Sequence, residues 1–454
     1  MGTIPSTLSR LRVLSTLSVH NNLLTGTLAA ISFMTSLRQV GLQLNRFSGT
    51  LPDMSRLDVV EVINLWQNTL SGTIPNSFSQ LTELTFLDVS GNAFSGSVPD
   101  LSRMSNLETF DAFANSLTGP FPRLAKLTKL SSFSVEENNI AGSIPEEIGD
   151  LTQLTFLAFG SNQLMGTIPD SFARLTALST LNVYDNSLTG TLGAISFMTS
   201  LKEVRLHLNS FSGAIPDMLG LTQVETVNMF SNQLSGSISS SIGSLTTMVS
   251  FSVETNQLTG VVPQELGGLT QLTALKLGSN QLSSTIPDAL ASLTNLKYLS
   301  LWGNNIVGTI PSWISDLTAL CELVLNSNDL TGPIPSELGE LTHLSELILF
   351  LNRLSGPLPS ELGNLVKMTT TSLRNNFLTG TIPSDLGAWS GVELAYFQNN
   401  LFNGTMPFCE SSRDELNIPK ALIVDCSEVV CPCCSNCCTA EMSHVPSHES
   451  CAAV

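Results

Sequence analysis

An asparagine recurs along this chain at a nearly constant interval, and this repeat limits the possible folds more than any other feature of the sequence. Each asparagine stands in the pattern LxLxxNxLxG, and the sixteen intervals between them are all 23 or 24 residues. A fixed period in this range is typical of a solenoid, in which each repeat stacks on the next. The seventeen residues, called the ladder asparagines below, are Asn22, Asn45, Asn68, Asn92, Asn115, Asn138, Asn162, Asn186, Asn209, Asn232, Asn256, Asn280, Asn304, Asn328, Asn352, Asn376 and Asn400.

The repeat unit has a physical explanation. Leu347 and Leu349 alternate with period two, so they point to the same side of a short strand, and strands of successive turns stack in parallel. Asn352 lies where the chain leaves the strand, and there its amide can bond to buried backbone groups of its own and the neighbouring turn. Gly356 lies at a bend that favours a residue without Cβ, and Pro359 keeps the returning segment extended and limits helix formation.

The longer pattern NxLxGxIPxxLGxLTxL resembles the plant-type leucine-rich repeat of receptor-like kinases, receptor-like proteins and polygalacturonase inhibitors. The resemblance covers residues 2 to about 407. It implies an α/β repeat fold: a leucine-rich-repeat solenoid with a parallel concave β-sheet, 17 repeats of 23–24 residues and a disulfide-rich C-terminal cap. It also implies a second, shorter strand after the glycine of each repeat. The sequence departs from the pattern at Leu192-Gly193 and Ile238-Ser239, which lack the proline, and at Ser284, which replaces the glycine.

Two long segments of the array are duplicated. TGTLAAISFMTSLRQVGLQLNRFSG, which begins at residue 25, recurs in similar form from residue 189, seven repeats later. SVEENNIAGSIPEEIGDLTQLTFLAFGSNQL, which begins at residue 134, recurs from residue 252, five repeats later. Duplication of blocks is consistent with a scaffold in which each repeat contacts only its neighbours.

The pattern predicts three regions: a solenoid over residues 1–408, a cysteine-rich cap over 409–438 and a disordered tail over 439–454. The chain begins inside a repeat, because residues 2–5 (GTIP) are the end of a unit whose strand is missing. An open first turn exposes leucines to water, so a solenoid needs a cap. We therefore expect a truncated N-terminus that has also lost a signal peptide or anchor. The alternative is an end-capping subunit.

The cysteines of the expected cap predict disulfides in an oxidising compartment, with undetermined pairing. The resemblance agrees, because the family usually ends its array with a short disulfide-bonded cap. A zinc or other soft-metal site in a reducing compartment is the second interpretation, and a catalytic dithiol is the third. The sequon Asn403-Gly404-Thr405 predicts glycosylation of Asn403 in a secreted protein. The cysteines are Cys409, Cys426, Cys431, Cys433, Cys434, Cys437 and Cys438.

Composition and motifs argue against several classes of function. Lys+Arg 19 against Asp+Glu 37 gives a net charge of -18, which repels nucleic acid. No apolar stretch reaches the roughly 18 residues that a membrane span within this chain would need. The sequence contains no Gly-rich phosphate loop, HExxH, GxSxG or kinase motif, so we predict neither an enzyme nor a cofactor or metal site.

The position two residues before each ladder asparagine is predicted to face outward on the concave sheet, and six of these residues are aromatic. Such residues are enriched at binding hot spots. We therefore predict that they bind a protein or peptide ligand, in a receptor-like or signalling role outside the cell or at its surface. A co-receptor is a candidate further partner. Alternatively, the rings stack across turns and stabilise the sheet. The six residues are Trp66, Phe113, Tyr184, Phe230, Trp302 and Phe350.

A second function remains open because hydroxyl residues recur beside the repeat glycine, as in Thr25-Gly26-Thr27. Regularly spaced hydroxyls can match a lattice, so the alternative is binding to a repetitive surface such as cell-wall polysaccharide or ice. The same column is also part of the family pattern, and the pattern alone does not decide function.

Overall fold

The computed structural model describes residues 2–406, 421–424 and 429–430. The chain forms two compact units, residues 1–233 (unit 1) and 234–454 (unit 2). Both units are built from the same turn: a three-residue inner strand, a ladder asparagine, a second strand and a return segment.

The inner strands of each unit pair in parallel, and the middle residue of one strand lies beside the middle residue of the next, as Leu299 does beside Leu323. These middle residues are buried, so the residues on either side project to the opposite face, which we call the inner face. Unit 1 contains Thr16–Ser18, Gln39–Gly41, Val62–Asn64, Phe86–Asp88, Thr109–Asp111, Ser132–Ser134, Phe156–Ala158, Thr180–Asn182, Glu203–Arg205 and Thr226–Asn228. Unit 2 contains Ser250–Ser252, Ala274–Lys276, Tyr298–Ser300, Glu322–Val324, Glu346–Ile348, Thr370–Ser372, Leu394–Tyr396 and Ala421–Ile423.

The second strand predicted from the family pattern is present, but in most repeats it begins directly after the ladder asparagine and includes the glycine. At Ser284, where the glycine is replaced, the strand shortens to Gln281–Leu282. Unit 1 contains Gly2–Thr3, Leu24–Gly26, Arg46–Thr50, Thr69–Thr73, Ala93–Gly96, Ser116–Pro120, Asn139–Ser143, Gln163–Thr167, Ser187–Gly190 and Ser210–Gly213. Gln233–Ser237 begins at the boundary, and unit 2 continues with Gln257–Gly260, Gln281–Leu282, Val307–Gly308, Asp329–Gly332, Arg353–Pro357, Phe377–Thr381, Leu401–Thr405 and Val429–Val430.

The return segments form short 3-10 helices, and no α-helix occurs among the described residues. The helical component of the α/β repeat is therefore of the tighter kind, which suits runs of a few residues. A proline usually precedes the helix in extended conformation, as Pro335 does with φ -69° and ψ 140°. The helices of unit 1 are Ser6–Arg10, Ile31–Phe33, Asn76–Gln80, Glu146–Asp150, Asp170–Arg174 and Gly193–Phe197. Those of unit 2 are Ser240–Ser244, Gln264–Gly268, Asp288–Ser292, Ser312–Asp316, Ser336–Glu340, Ser360–Asn364 and Ser384–Ala388.

The two repeat lengths correspond to different return segments. Every 24-residue interval contains a 3-10 helix, whereas four of the six 23-residue intervals contain none. In three of these four, an aspartate accepts a hydrogen bond from the N–H two residues ahead: Asp53 from Ser55, Asp100 from Ser102 and Asp217 from Leu219. This side-chain turn reverses the chain with one residue fewer.

Each ladder asparagine bonds to backbone groups of its own turn and, where a preceding turn exists, of that turn also. Asn280 Nδ2 donates to the carbonyls of Leu277 (3.1 Å) and Gly278 (3.1 Å) in its own turn and of Val253 (3.0 Å) in the preceding one. Its Oδ1 accepts from the Leu258 N–H at 3.0 Å. The residue before every ladder asparagine has a left-handed backbone, with φ between 48° (Gln67) and 61° (Gly303).

The last inner strand, Ala421–Ile423, pairs with Leu394–Tyr396, and Val429–Val430 pairs with Leu401–Thr405. Both strands fall within residues 409–438, the region expected to form the cap. The seven cap cysteines lie outside the described residues, and so does the predicted tail over residues 439–454. The disulfide prediction therefore remains a prediction.

The inner face as candidate functional site

The six aromatic residues singled out in the sequence are all half-buried. Each lies two residues beyond the end of an inner strand, so it continues the row of side chains that the strand presents to the inner face. Four of them lie in unit 1 and two in unit 2. The residues are Trp66, Phe113, Tyr184, Phe230, Trp302 and Phe350.

Two of the aromatic rings in unit 1 stack on a histidine between them. Tyr184 and His207 have ring centroids 4.8 Å apart and planes at 1°, and His207 and Phe230 have centroids 4.9 Å apart and planes at 19°. Burial, assisted by the charge of Arg205, lowers the pKa of His207 to about 4. His207 is therefore neutral at physiological pH, and the three rings form an apolar row whose edges remain partly exposed.

A half-buried carboxylate lies beside this row. Gly160 separates Glu136 from Tyr184, and the tyrosine ring lies over that glycine: a Cβ added to Gly160 would stand 2.5 Å from Tyr184 Cε1. Asn182, which is 4% exposed, lies on the far side of Gly160 from Glu136 and is a polar neighbour of that carboxylate. Burial raises the pKa of Glu136 to about 7, although the charge of Arg205 and a hydrogen bond with Asn182 oppose the shift.

Two aspartates extend the acidic surface along earlier turns of unit 1. Burial raises the pKa of Asp111 to about 6, and the nearby charge of Asp88 adds to this shift. Burial also raises the pKa of Asp88, against hydrogen bonds from Ser90. Each aspartate accepts a hydrogen bond from a backbone N–H two residues ahead, Asp111 from Phe113 at 2.9 Å. These side chains come from the ends of inner strands, a column that the sequence reasoning did not consider.

The duplicated block places a second carboxylate of the same kind in unit 2. Glu254, Gly278 and Trp302 occupy the positions of Glu136, Gly160 and Tyr184. Here the indole Nε1 of Trp302 donates to Glu254 Oε1 at 3.2 Å, and the Ser300 hydroxyl donates to the same oxygen. A Cβ added to Gly278 would stand 2.3 Å from Trp302 Cδ1, so the absence of a side chain there lets the indole reach the carboxylate.

We call these arrangements the first and second copies, and they differ at three of five positions. The first copy consists of Glu136, Ala158, Gly160, Asn182 and Tyr184. The second copy consists of Glu254, Lys276, Gly278, Ser300 and Trp302. In the second copy Lys276 also lies near an aromatic ring, with Nζ 5.5 Å from the centroid of the Tyr298 ring.

The remaining predicted residues have other surroundings. The guanidinium of Arg374 lies 4.6 Å from the centroid of the Phe350 ring, a cation–π arrangement. Trp66 follows Asn64, whose side chain accepts from the Trp66 N–H at 3.1 Å. The structure thus places all six aromatics on the inner face without bringing them into one cluster. The alternative role, stacking across turns, describes Tyr184 and Phe230, and both rings remain partly accessible.

The predictions on metal sites, membrane spans and glycosylation concern other features of the described residues. They contain no group of three or more histidine, cysteine, aspartate or glutamate side chains that could hold a metal ion. None of the helices in the part of the chain described by the structure is long and apolar enough to cross a bilayer. Asn403, the predicted glycosylation site, is exposed on the strand Leu401–Thr405.

Parallel inner strands joined by an asparagine ladder define a class of repeat fold, and comparisons with known proteins identify the family. The family model "Leucine rich repeat" matches residues 246–306 and 294–354, and a related model, "Leucine Rich Repeat", matches 60–81. Comparison with curated proteins gives no match. This chain is a leucine-rich-repeat protein with repeats of the plant type.

Solved structures of similar fold include plant receptor ectodomains. The ectodomain of the membrane receptor kinase GASSHO1/SCHENGEN3 from Arabidopsis thaliana, in complex with CASPARIAN STRIP INTEGRITY FACTOR 2, is 32% identical with a TM-score of 0.86 and covers 89% of this chain. This chain spans about half, 49%, of that one. The plant peptide hormone receptor RGFR1 in complex with RGF2 is 28% identical, with a TM-score of 0.82, over 95% of this chain and 77% of that chain. A leucine-rich-repeat protein of Leptospira interrogans is 27% identical, with a TM-score of 0.63, over 81% and 92%.

Proposed function

We propose that this chain is the extracellular, non-catalytic recognition part of a receptor-like protein, and that it binds a peptide or protein ligand on the inner face. The observation that carries the proposal is the likeness to receptor ectodomains solved with CASPARIAN STRIP INTEGRITY FACTOR 2 and with RGF2, at 32% and 28% identity over most of this chain. A co-receptor is a further candidate partner, because a structure with 29% identity, the receptor kinase HAESA, contains both a peptide hormone and the co-receptor SERK1.

The character of the inner face supports ligand binding there. Its aromatic rings are half-buried and offer apolar area, and four of the six contact a neighbouring side chain that fixes their orientation. Phe230 is fixed by stacking on His207, and Trp302 by its bond to Glu254. A ligand that contacts such rings loses little side-chain entropy from the receptor, which favours affinity. Tyr and Trp with a polar edge are the residue types that most often carry binding energy.

The test starts from a displayed library of random peptides, screened against the whole chain. Trp302→Ala and Phe230→Ala are expected to weaken binding of selected peptides roughly thirtyfold, because truncating a central interface aromatic typically costs about 2 kcal/mol. Phe377→Ala, which removes a ring 55% exposed on a second strand, is the matched control and should leave affinity unchanged. Unchanged affinity in both inner-face variants would place the ligand elsewhere.

The proposed extracellular location is consistent with the expected disulfides of the cap and with the exposed sequon at Asn403. Protein from a secretory host should have oxidised cap cysteines and a glycan at Asn403. Mass spectrometry after thiol alkylation measures both properties. Free thiols, or one equivalent of bound metal, would instead favour the zinc interpretation of the cysteine cluster.

Binding to a polysaccharide or to ice remains the second candidate because Thr27, Thr73 and Thr381 are exposed at equivalent positions, each directly after a repeat glycine. The column also has a packing role: a Cβ at Gly72 would stand 2.8 Å from Cγ2 of Thr50, so the threonine methyl occupies the space that this glycine leaves. Ice-affinity and polysaccharide pull-down assays distinguish the candidates. Retention of the chain by either material, without any peptide binder from the library, would favour the second.

A further inference from the structure

We propose that the first copy binds a cationic side chain, arginine or lysine, contributed by the ligand. The inference deepens the proposed function, since it states which chemistry the ligand should carry at one place on the inner face. It depends on the proposed function only for the statement that the cation belongs to a peptide. The binding of the cationic group itself is a separate property of Glu136 and Asn182.

The two copies show what the first one lacks. In the second copy Glu254 Oε1 receives hydrogen bonds from the Ser300 hydroxyl and the Trp302 indole. In the first copy the equivalent residues are Asn182 and Tyr184, and the tyrosine ring carries no N–H at the place where the indole donates. The carboxylate is retained, the indole donor is lost, and the hydroxyl donor is replaced by the side-chain amide of Asn182, which still forms a hydrogen bond with Glu136.

Despite that hydrogen bond, two buried oxygens of the first copy, Glu136 Oε1 and Asn182 Oδ1, have no hydrogen-bond partner in the structure. Asn182 is 4% exposed, and its side chain projects from the end of an inner strand toward Glu136. Both atoms are acceptors, so the group that would satisfy them must be a donor. An unsatisfied buried acceptor typically costs on the order of a few kcal/mol, and a bound donor would recover part of that cost.

Charge favours a cationic donor over a neutral one. The turn between the acid and the aromatic residue carries Lys276 in the second copy and Ala158 in the first. Arg205, the cation whose charge acts on Glu136, is ion-paired with Glu203, and its side chain is 45% exposed. Asp111 and Asp88 continue the negative surface along the preceding turns. A guanidinium or ammonium would therefore supply both the missing donors and the charge that Lys276 contributes to the second copy.

Access is through Glu136 itself. This residue is half-buried, whereas Asn182 lies deeper, so an approaching cation meets the carboxylate first. Because Glu136 Oε1 and Asn182 Oδ1 are both buried, binding requires the glutamate side chain to rotate toward solvent. The neighbouring row of Tyr184, His207 and Phe230 offers apolar contact for the rest of the residue that carries the cation.

Acetyl-arginine amide is the probe, and acetyl-citrulline amide, which has the same shape without the charge, is its control. Calorimetric titration of the whole chain at about pH 8 keeps Glu136 ionised. Wild type should bind the arginine probe at least tenfold more tightly than the citrulline probe. Glu136→Gln removes the charge, and Ala158→Lys supplies the cation from within the chain. Each should reduce arginine binding at least tenfold, whereas exposed Glu265→Gln should not.

Folding of each variant is checked by circular dichroism and thermal melting. Lys276 occupies the equivalent position in the second copy, so Ala158→Lys has a precedent in the same chain. If it nevertheless fails to fold, Glu136→Gln, a nearly isosteric change, decides alone. Equal binding of the two probes would overturn the proposal and indicate that water serves the two oxygens. Arginine binding that persists in Glu136→Gln would also overturn it, because the cation would then bind the acidic surface at large.

The peptide library addresses the proposed function separately. Library peptides without enrichment of arginine or lysine, together with no preference for the arginine probe, would refute the cation site and leave the peptide-binding proposal standing. Conversely, a chain that binds the arginine probe through Glu136 but selects no peptide would retain the cation site and lose the proposed function.

Discussion

Unit 1 and unit 2 use the same turn with different regularity. All six 23-residue intervals lie between Asn22 and Asn232, whereas the intervals from Asn256 to Asn400 are all 24 residues. The inner strands nevertheless keep residue-by-residue register in unit 1, with Gln39 beside Val62 and Val62 beside Phe86 across intervals of both lengths. The difference in length is therefore absorbed in the return segment, and the inner face keeps its columns of side chains.

The inner face, where the two copies lie, is thus independent of the length of the return segments. Both copies contain a glutamate, a glycine and an aromatic residue on three successive turns, and no residue of a return segment belongs to either copy. In unit 2 the donors of Trp302 and Ser300 satisfy Glu254 internally. In unit 1 burial raises the pKa of Glu136 to about 7, although a hydrogen bond with Asn182 opposes the shift. Unit 2, whose repeats between Asn256 and Asn400 all have the same length, thus contains the copy in which the carboxylate oxygen accepts two hydrogen bonds. Unit 1, whose repeats have two lengths, contains the copy in which two buried oxygens lack a partner.

The largest effect is expected where unit 2 depends on close packing of successive 3-10 helices. A Cβ on Gly267 would stand 2.2 Å from the Ala289 carbonyl oxygen, which is backbone and cannot rotate away. Gly267→Ala should therefore cost about 3 kcal/mol, as overpacking does. The control in unit 1 is Gly193→Ala, where a Cβ would meet nothing within 4 Å. Urea unfolding midpoints measure both, and equal midpoints would show that the return segments of unit 2 are not closely packed.

The asparagine ladder is expected to be the next largest contributor, and it is common to both units. Asn280→Ala, or Asn328→Ala, should cost on the order of 1–3 kcal/mol because buried backbone groups of two turns lose their partners. Asn22→Ala is the control, since Asn22 is exposed and bonds only to Val19 and His20 of its own turn. Wild-type denaturation midpoints for Asn280→Ala and Asn328→Ala would contradict a structural role for the ladder.

The sequence predicted the parts of the fold that depend on periodicity. Leucine and asparagine spacing located the inner strands and the residue that joins successive turns. It did not reveal the left-handed backbone before each ladder asparagine, because residues as different as Gln67, Leu208 and Thr255 occupy that column. There the ladder hydrogen bonds fix the backbone and override the preference of the side chain. Proline predicted an extended return but not the 3-10 helix, which depends on packing against neighbouring turns.

The candidate site was predicted in part. The aromatic column was found because it lies at a fixed distance from the asparagine, but Asn182 and Ser300 were missed. They act across two turns, since Gly160 and Gly278 leave room for side chains on either side to meet. A signal was available in the duplicated block and the turn that follows it, where glutamate, glycine and an aromatic residue recur at the same spacing. Their hydrogen bonds depend on side-chain conformation, which periodicity does not determine.

A smaller effect should distinguish unit 1 by its pH dependence. The folded pKa of Glu136, about 7, lies above its ordinary value of 4.5, so its contribution favours folding at low pH and is lost as pH rises through about 7. Between about pH 5 and 8, wild type should lose about 1 kcal/mol more stability than Glu136→Gln, after allowance for solvent screening.

Other charged and titratable groups near Glu136 also affect how stability depends on pH. Arg205, Asp111 and Glu137 act on the charge of Glu136. Asp111 contributes in the same direction at lower pH, whereas protonation of His207 opposes folding below about pH 6.5. The difference between wild type and Glu136→Gln isolates the one carboxylate, and Glu265→Gln controls for loss of a surface charge. Parallel pH profiles for wild type and Glu136→Gln would contradict the assigned burial of Glu136.

The smallest effect concerns a feature that the units share, the left-handed residue before each ladder asparagine. Thr255 has φ 54° and an exposed, β-branched side chain, and Leu208 of unit 1 has φ 56° and is 41% exposed. A left-handed backbone costs a residue with Cβ about 1–2 kcal/mol, and glycine avoids that cost but loses more conformational entropy on folding, about 0.5–1 kcal/mol. Thr255→Gly and Leu208→Gly should each stabilise the chain by about 0.5 kcal/mol, seen as a higher urea midpoint.

The control is Gly303→Ala, in the same column at φ 61°, which should shift the midpoint in the opposite direction. Equal gains in stability in Thr255→Gly and Leu208→Gly would indicate that both units make the same turn there despite their different repeat lengths. A loss of stability in either variant would mean that the native side chain contributes more than its left-handed backbone costs.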